Sequence, residues 1–153
     1  MEQTLTIEQA IKVAIDAEIR AYALYSSTSK KVAGAGTKKI LLELAEQELG
    51  HRKILENVLA GKDYGVLGQK VEKHTRGIEE FLEASELSKN ATSQDVMIFA
   101  MKEEEKAFNF YSSLKRHFGG TELESLFDGL AAEERGHKIK LEDEYEEHFM
   151  KEN

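Results

Sequence analysis

Two short segments, "ELGH" at residues 48–51 and "ERGH" at residues 134–137, each set a carboxylate and an imidazole three positions apart. On an α-helix that spacing puts both groups on one face, about 5–6 Å apart, close enough to share a cation with a neighbour. The surrounding face is otherwise apolar. Leu41, Leu44, Leu55 and Val58 flank Glu48 and His51 at helical spacing, and Leu123, Phe127, Leu130 and Leu141 flank Glu134 and His137. Two further acids interrupt apolar stripes in the same way: Glu18 within Ile7, Ile11, Ala14, Ala21 and Tyr25, and Glu104 within Met97, Ala100, Ala107, Tyr111 and Leu114. Packed together, these seams would bring four carboxylates and two imidazoles to one level. Desolvated acids repel one another, which raises their pKa values and costs several kcal/mol per ion unless something neutralises them. Two divalent cations would do so. An oxygen-rich set with one imidazole per metal and no sulfur suits iron or manganese better than a structural zinc site, with iron expected and manganese or zinc the alternatives.

The plain alternative is a solvated helix face, because Glu is so frequent here, 24 of 153 residues, that one standing three positions before a His means little. An internal repeat weighs against that alternative. Offset by 86, residues 7–56 align without a gap on residues 93–142, and fourteen of the fifty positions are identical. The polar seam residues are among them: Glu18 with Glu104, Glu48 with Glu134, His51 with His137, and Tyr25 with Tyr111. Duplication of a helical hairpin is the simplest origin.

The elements that must carry these residues have readable ends. The first helix is expected from about Thr6, in a Thr6-x-x-Gln9 capping box, to Lys31 before "GAG", and the second from about Thr37 to Ala60 before Gly61. The third runs from Thr92 or Ser93, with Asp95 in its first turn, to about Phe118 before "GG". The fourth opens in a Thr121-x-x-Glu124 box and reaches about Lys151. Short loops make each pair an antiparallel hairpin. The chain thus reads as one all-α domain over residues 1–153: hairpin repeats at about 6–60 and 92–151, and a crossover at 61–91. A structureless crossover of that length would be unusual, so a short helix is expected in "VEKHTRGIEEFLEAS" at 71–85.

Bulk composition narrows the classes. Hydrophobic residues make up 41% and charged residues 33%, with no proline to interrupt a helix. The net charge of −8 and pI near 5.2, with Lys and Arg scattered, exclude a phosphate-binding face and so nucleic acid. No apolar run approaches a membrane span and the N-terminus does not resemble a leader peptide, so a cytoplasmic protein is expected. With no cysteine there is no disulfide, thiolate chemistry or iron–sulfur cluster, and carboxylate and imidazole are the strong metal ligands left.

In "AIDAEIRAYALY", "EQELGH", "AMKEEEKAFNFY" and "AEERGH" the chain resembles the ferritin-like di-iron carboxylate proteins, and among them the rubrerythrins, over all four helices. The resemblance implies a ferritin-like four-helix bundle in which Glu48 and Glu134 bridge two iron ions, Fe2+ or Fe3+, with Glu18 and His51 completing one sphere and Glu104 and His137 the other. It also implies a Tyr matching Tyr25 beside the metals, able to hydrogen-bond a ligand. Hydrogen peroxide or dioxygen would be the oxidant, peroxide reduction the reaction, and a homodimer or larger homo-oligomer the assembly. Two departures stand out. The further Glu common in rubrerythrins three residues after the third-helix ligand is Ala107 here, which removes the residue that exchanges with a His as iron changes oxidation state. The four cysteines of the rubredoxin module are absent too, so electrons must come from an external donor of the rubredoxin kind or a small molecule. Ferroxidase work in iron handling, and a bundle in which metal serves only structure, are the rival readings.

Secondary candidates are weaker. Glu103 and Glu105 point about 100° to either side of Glu104 and suit solvated faces, Glu103 being the substitute if the register were shifted. Core packing with a satisfied hydroxyl is the simpler expectation for Tyr25 and Tyr111 alike. Tyr22 aligns with Phe108, which makes its hydroxyl dispensable. Gly50 and Gly136 each weaken a helix by about 1 kcal/mol relative to Ala, which predicts a close neighbour, either the crossover or another subunit. His74, His117 and His148 match nothing in the repeat and are expected on the surface.

Overall fold

A computed structural model of the chain describes residues 4–61, 73–74, 87 and 89–150. Four helices make up nearly all of it: α1 over Ile7–Ser29, α2 over Ala35–Leu59, α3 over Ser93–His117 and α4 over Leu123–Tyr145. A π-helical turn, Glu146–Met150, prolongs α4. Helix α1 packs along α2 and α3 along α4, and the two antiparallel pairs close into a four-helix bundle.

Local chemistry sets the ends. The expected capping box forms at α1, where the Thr6 hydroxyl accepts from the Gln9 amide at 3.1 Å and the Gln9 side chain accepts from the Thr6 amide at 2.9 Å. Thr92 and Asp95 build the same reciprocal pair at α3. The box expected at α4 does not form. Instead the Thr121 hydroxyl donates to the Phe118 carbonyl at 2.6 Å and accepts from the Leu123 amide, while the Glu124 carboxylate accepts from Gly120 N–H. Thr121 is thereby held by the preceding turn, and α4 starts at Leu123. Gly34 and Gly120, matched in the repeat, both sit at the hairpin bends with positive φ of 118° and 81°. A side chain there would meet its own backbone, so both hairpins need glycine at the same place.

The crossover departs from expectation where it is described. Lys73 and His74 are extended and pair antiparallel with Leu5 and Thr4, so the short helix expected over 71–85 does not include them. The remainder of that helix, like the far end of the fourth helix at Lys151, lies outside the described residues.

Two apolar clusters fill the bundle. One gathers Ile7, Ile11, Ala14, Leu55, Phe110, Tyr111, Phe127 and Leu130, and the other Tyr25, Leu41, Leu44, Met97, Ala100 and Leu141. Along α1 the first ends at Ala14 and the second begins near Tyr25; along α3 the second ends at Ala100 and the first begins at Phe110. On each helix the gap between clusters is where a lone Glu or a Glu–His pair falls. The polar layer therefore lies between two oily plugs, a position that strips water from every group in it.

Candidate metal centre

All six polar seam residues meet in that layer. Glu18, Glu48, His51, Glu104, Glu134 and His137 are each at most 5% exposed, so a solvated helix face is excluded for all of them. They form two overlapping groups of four, Glu18, Glu48, His51 and Glu134 in one and Glu48, Glu104, Glu134 and His137 in the other, with one donor atom from each member lying within 4.8 Å of the rest. The shared members are Glu48 and Glu134, one from each repeat.

Each imidazole turns Nδ1 inward. His51 Nδ1 lies 2.9 Å from Glu134, 3.4 Å from Glu18 and 3.7 Å from Glu48. His137 Nδ1 lies 3.0 Å from Glu48, 3.6 Å from Glu104 and 3.9 Å from Glu134. The two rings stack nearly parallel, 5.7 Å apart and 8° from coplanar. These contacts are close but not aligned as hydrogen bonds: both Nδ1 atoms, both Glu134 oxygens and one oxygen each of Glu18, Glu48 and Glu104 are buried without a hydrogen-bond partner. Buried polar atoms are normally satisfied, and seven orphans facing one another in a single layer are an arrangement that a bound cation would satisfy.

Electrostatics agree. Burial, and next the neighbouring carboxylates Glu18 and Glu104, hold Glu48 well above the ordinary carboxyl range; burial and then Glu104, Glu48 and Glu18 do the same to Glu134. For His51 burial pulls the other way, but the facing carboxylate of Glu18, followed by Glu48 and the bonded Glu133, outweighs it and raises the imidazole to about 9. Without a cation the layer is thus short of positive charge and takes up protons. Two divalent ions would supply that charge, and the donor set of carboxylate oxygens and imidazole nitrogen fits iron or manganese.

Two tyrosines tie the repeats together. Tyr25 on α1 donates its hydroxyl to Glu104 on α3, and Tyr111 on α3 donates to Glu18 on α1 at 2.5 Å. Burial first, and then the carboxylates, raise both phenols, so the hydroxyls stay protonated and act as donors. The resemblance implies such a bond for Tyr25; its twin at Tyr111 is matched by the repeat and fits the expectation of a core tyrosine with a satisfied hydroxyl.

The remaining candidates stay outside the layer. Glu103 pairs with Lys106 at 3.2 Å and Glu105 with Lys138 at 2.7 Å. Tyr22 is 38% exposed. His148 is exposed and pairs with Glu144, whereas His117 is only half-buried at the end of α3. At Gly50 and Gly136 an added Cβ would meet nothing within 4 Å among the described residues, so the close neighbour expected there is not found in this part of the chain. Gly136 instead lines a cleft of about 390 Å³, with Gln47, His51, Glu133, His137 and Lys140, that opens onto both imidazoles. Glu133 was missed from the sequence. It caps His51 at Nε2 from the solvent side, and its one visible signal was its position directly before a seam Glu.

The family model described as Rubrerythrin matches residues 9–145 of the chain. Among solved structures, a protein from Thermotoga maritima described as a candidate ferritin-like diiron-carboxylate protein is similar in fold, with a TM-score of 0.70 at 20% identity over 97% of this chain and 99% of that one. A hypothetical protein from Pyrococcus furiosus is similar with a TM-score of 0.68 at 27% identity, over 93% of this chain and 89% of the other. No curated protein matches. The bundle is therefore ferritin-like, and among its described residues no helix is long and apolar enough to cross a membrane.

Proposed function

This chain belongs to the rubrerythrin family, and on that premise we propose that its buried layer holds two iron ions and reduces hydrogen peroxide with electrons from an external donor. The observation that carries the reading is the set of seven unpartnered donor atoms converging between two apolar plugs. Glu18 and His51 would hold one ion, Glu104 and His137 the other, and Glu48 and Glu134 would touch both. Bound there, a ferrous pair supplies the two electrons that, with two protons, convert one hydrogen peroxide molecule to two of water.

The chain's own residues do the rest. The two apolar clusters exclude bulk water from above and below, which strengthens each charge interaction in the layer. Tyr25 and Tyr111, by donating to Glu104 and Glu18, fix one oxygen of each outer carboxylate and leave the second free to ligate. The cleft beside His51, His137 and Gly136 offers a path for a small oxidant, and Lys140 and Gln47 at its walls give that path a polar lining. No cysteine in the 153 residues can relay electrons, hence the external donor.

Ala107 favours a second reading, ferroxidase work with Fe(II) as substrate, because position 107 itself supplies no carboxylate to follow a change in iron charge. One anaerobic experiment separates the two. The apo protein is loaded with Fe(II) and oxidised by peroxide and by oxygen in separate runs. Rapid oxidation of two equivalents by peroxide, with slow reaction in oxygen, supports peroxide reduction. Continued turnover of excess Fe(II) in oxygen supports ferroxidase work, and inert binding contradicts both.

A further inference from the structure

The repeat matches all six residues of the metal layer type for type, whereas the residues beside them differ at several positions, one of which touches a ligand ring. Position 133, directly before a shared carboxylate, is Glu; its counterpart 47 (133 − 86 = 47) is Gln. Glu133 is no part of either four-residue group, and its side chain is 61% exposed, yet it is bonded to Nε2 of His51, which is buried. Gln47 lines the same cleft as His137 and can offer that ring only a neutral amide.

We propose that Glu133 is a positioning residue that makes the two metal positions unequal, the His51 position binding a divalent cation more tightly than the His137 position. An imidazole binds metal through one nitrogen and is oriented through the other. With Nε2–H donated to Glu133, the His51 lone pair is fixed at Nδ1, the atom that already faces Glu18, Glu48 and Glu134 at 2.9–3.7 Å. A carboxylate acceptor also makes the ring a stronger donor to metal than an amide acceptor does, and loss of such a partner commonly weakens metal binding 10–100-fold, so an effect of about tenfold is expected here. All six ligands are matched by the repeat and Glu133 is bonded directly to one of their rings, so the difference between the two positions is assigned to residues 133 and 47. Loading then becomes ordered, with the first ion entering beside His51. This inference rests on the di-metal reading above, and its test separates the two.

Anaerobic titration with Co(II), read by the visible absorption of the bound ion, gives stoichiometry, affinity and ligand field without any turnover. The parent protein is expected to bind two ions in two resolved steps. Glu133→Gln, which copies the Gln47 environment, should weaken the first step about tenfold and merge the two, and should shift the absorption band belonging to that step. Gln47→Glu should tighten the second step instead, and the double exchange should restore two steps in reversed order. Glu46→Gln, the same charge change at an exposed neighbour, should alter neither. Two equal steps in the parent, or unchanged steps in Glu133→Gln, would overturn the inequality while leaving the di-metal layer standing. Absence of stoichiometric Co(II) binding in the parent would overturn both.

Discussion

Glu134→Gln is expected to stabilise the protein without metal and to weaken it with metal, and this reversal of sign is what a charge-collecting core demands. Glu134 is wholly buried, and neither of its oxygens has a hydrogen-bond partner. His51 and His137 face it at 2.9 and 3.9 Å, but three other carboxylates crowd the same layer. Keeping Glu134 in this layer at neutral pH costs several kcal/mol, whether as a buried ion or through the proton it must take up, whereas an unpaired buried amide costs about 1–3 kcal/mol, so the metal-free variant should gain about 1–2 kcal/mol. For a chain of this length that gain raises Tm by roughly 2–8 °C. Metal reverses the order. The parent gains about 2.7 kcal/mol when free metal stands 100-fold above its Kd, and the variant, lacking a carboxylate common to both four-residue groups, should lose most of that gain. Thermal melts followed by circular dichroism, in chelator and in anaerobic Fe(II) or Mn(II), read both signs. A metal-free variant less stable than the parent, with an undiminished rise on adding metal, would refute the reasoning.

Tyr25→Phe and Tyr111→Phe each leave a buried carboxylate oxygen without its donor, so each should destabilise the metal-free fold by about 1–3 kcal/mol, checked by denaturant unfolding; a change within experimental error would show the bonds to be unimportant. The metal-free protein should lose stability as pH rises. Glu48 and Glu134 have folded pKa values above the ordinary 4.5, so their contribution is complete below 4.5 and is lost as pH climbs through those raised values, and His51 adds in the same sense, complete below 6.5 and lost by about 9. Metal competes with those protons, so the rise in Tm on adding metal should grow over the same span, whereas a flat profile in chelator would contradict the raised values. Gly50→Ala and Gly136→Ala should each stabilise the isolated chain by up to about 1 kcal/mol, since among the described residues a methyl group meets nothing within 4 Å at either; destabilisation would reveal a surface packed against them.

Much of this centre was legible in the sequence because helix periodicity and the repeat report on the same residues independently. Glu18 and Glu104 each sit on an apolar seam, and the offset of 86 pairs them. That coincidence is hard to produce on a solvated face, and both prove buried. The capping boxes at Thr6 and Gly34's role at the bend were readable for the same reason: each is a local rule satisfied by neighbours in sequence. Thr121 shows where local rules fail, because the choice between capping forward to Glu124 and bonding back to Phe118 depends on how tightly the "GG" bend closes. Glu133 was hidden for a different reason. Its partner, His51, lies 82 residues away on another helix, and no pattern along one helix reveals a contact made across two. Gly50 and Gly136 meet no close neighbour among the described residues, and Gly136 lines a cleft there, while the crossover and subunit contacts that their low helix propensity suggested lie outside those residues.

The central claim is that these six side chains gather to hold a pair of cations, and diffraction at the iron absorption edge tests it most directly. Crystals grown or soaked anaerobically with Fe(II) should give two anomalous peaks per chain, one among Glu18, Glu48, His51 and Glu134 and one among Glu48, Glu104, Glu134 and His137. A single peak, or iron bound elsewhere while this layer holds only protons, would contradict it.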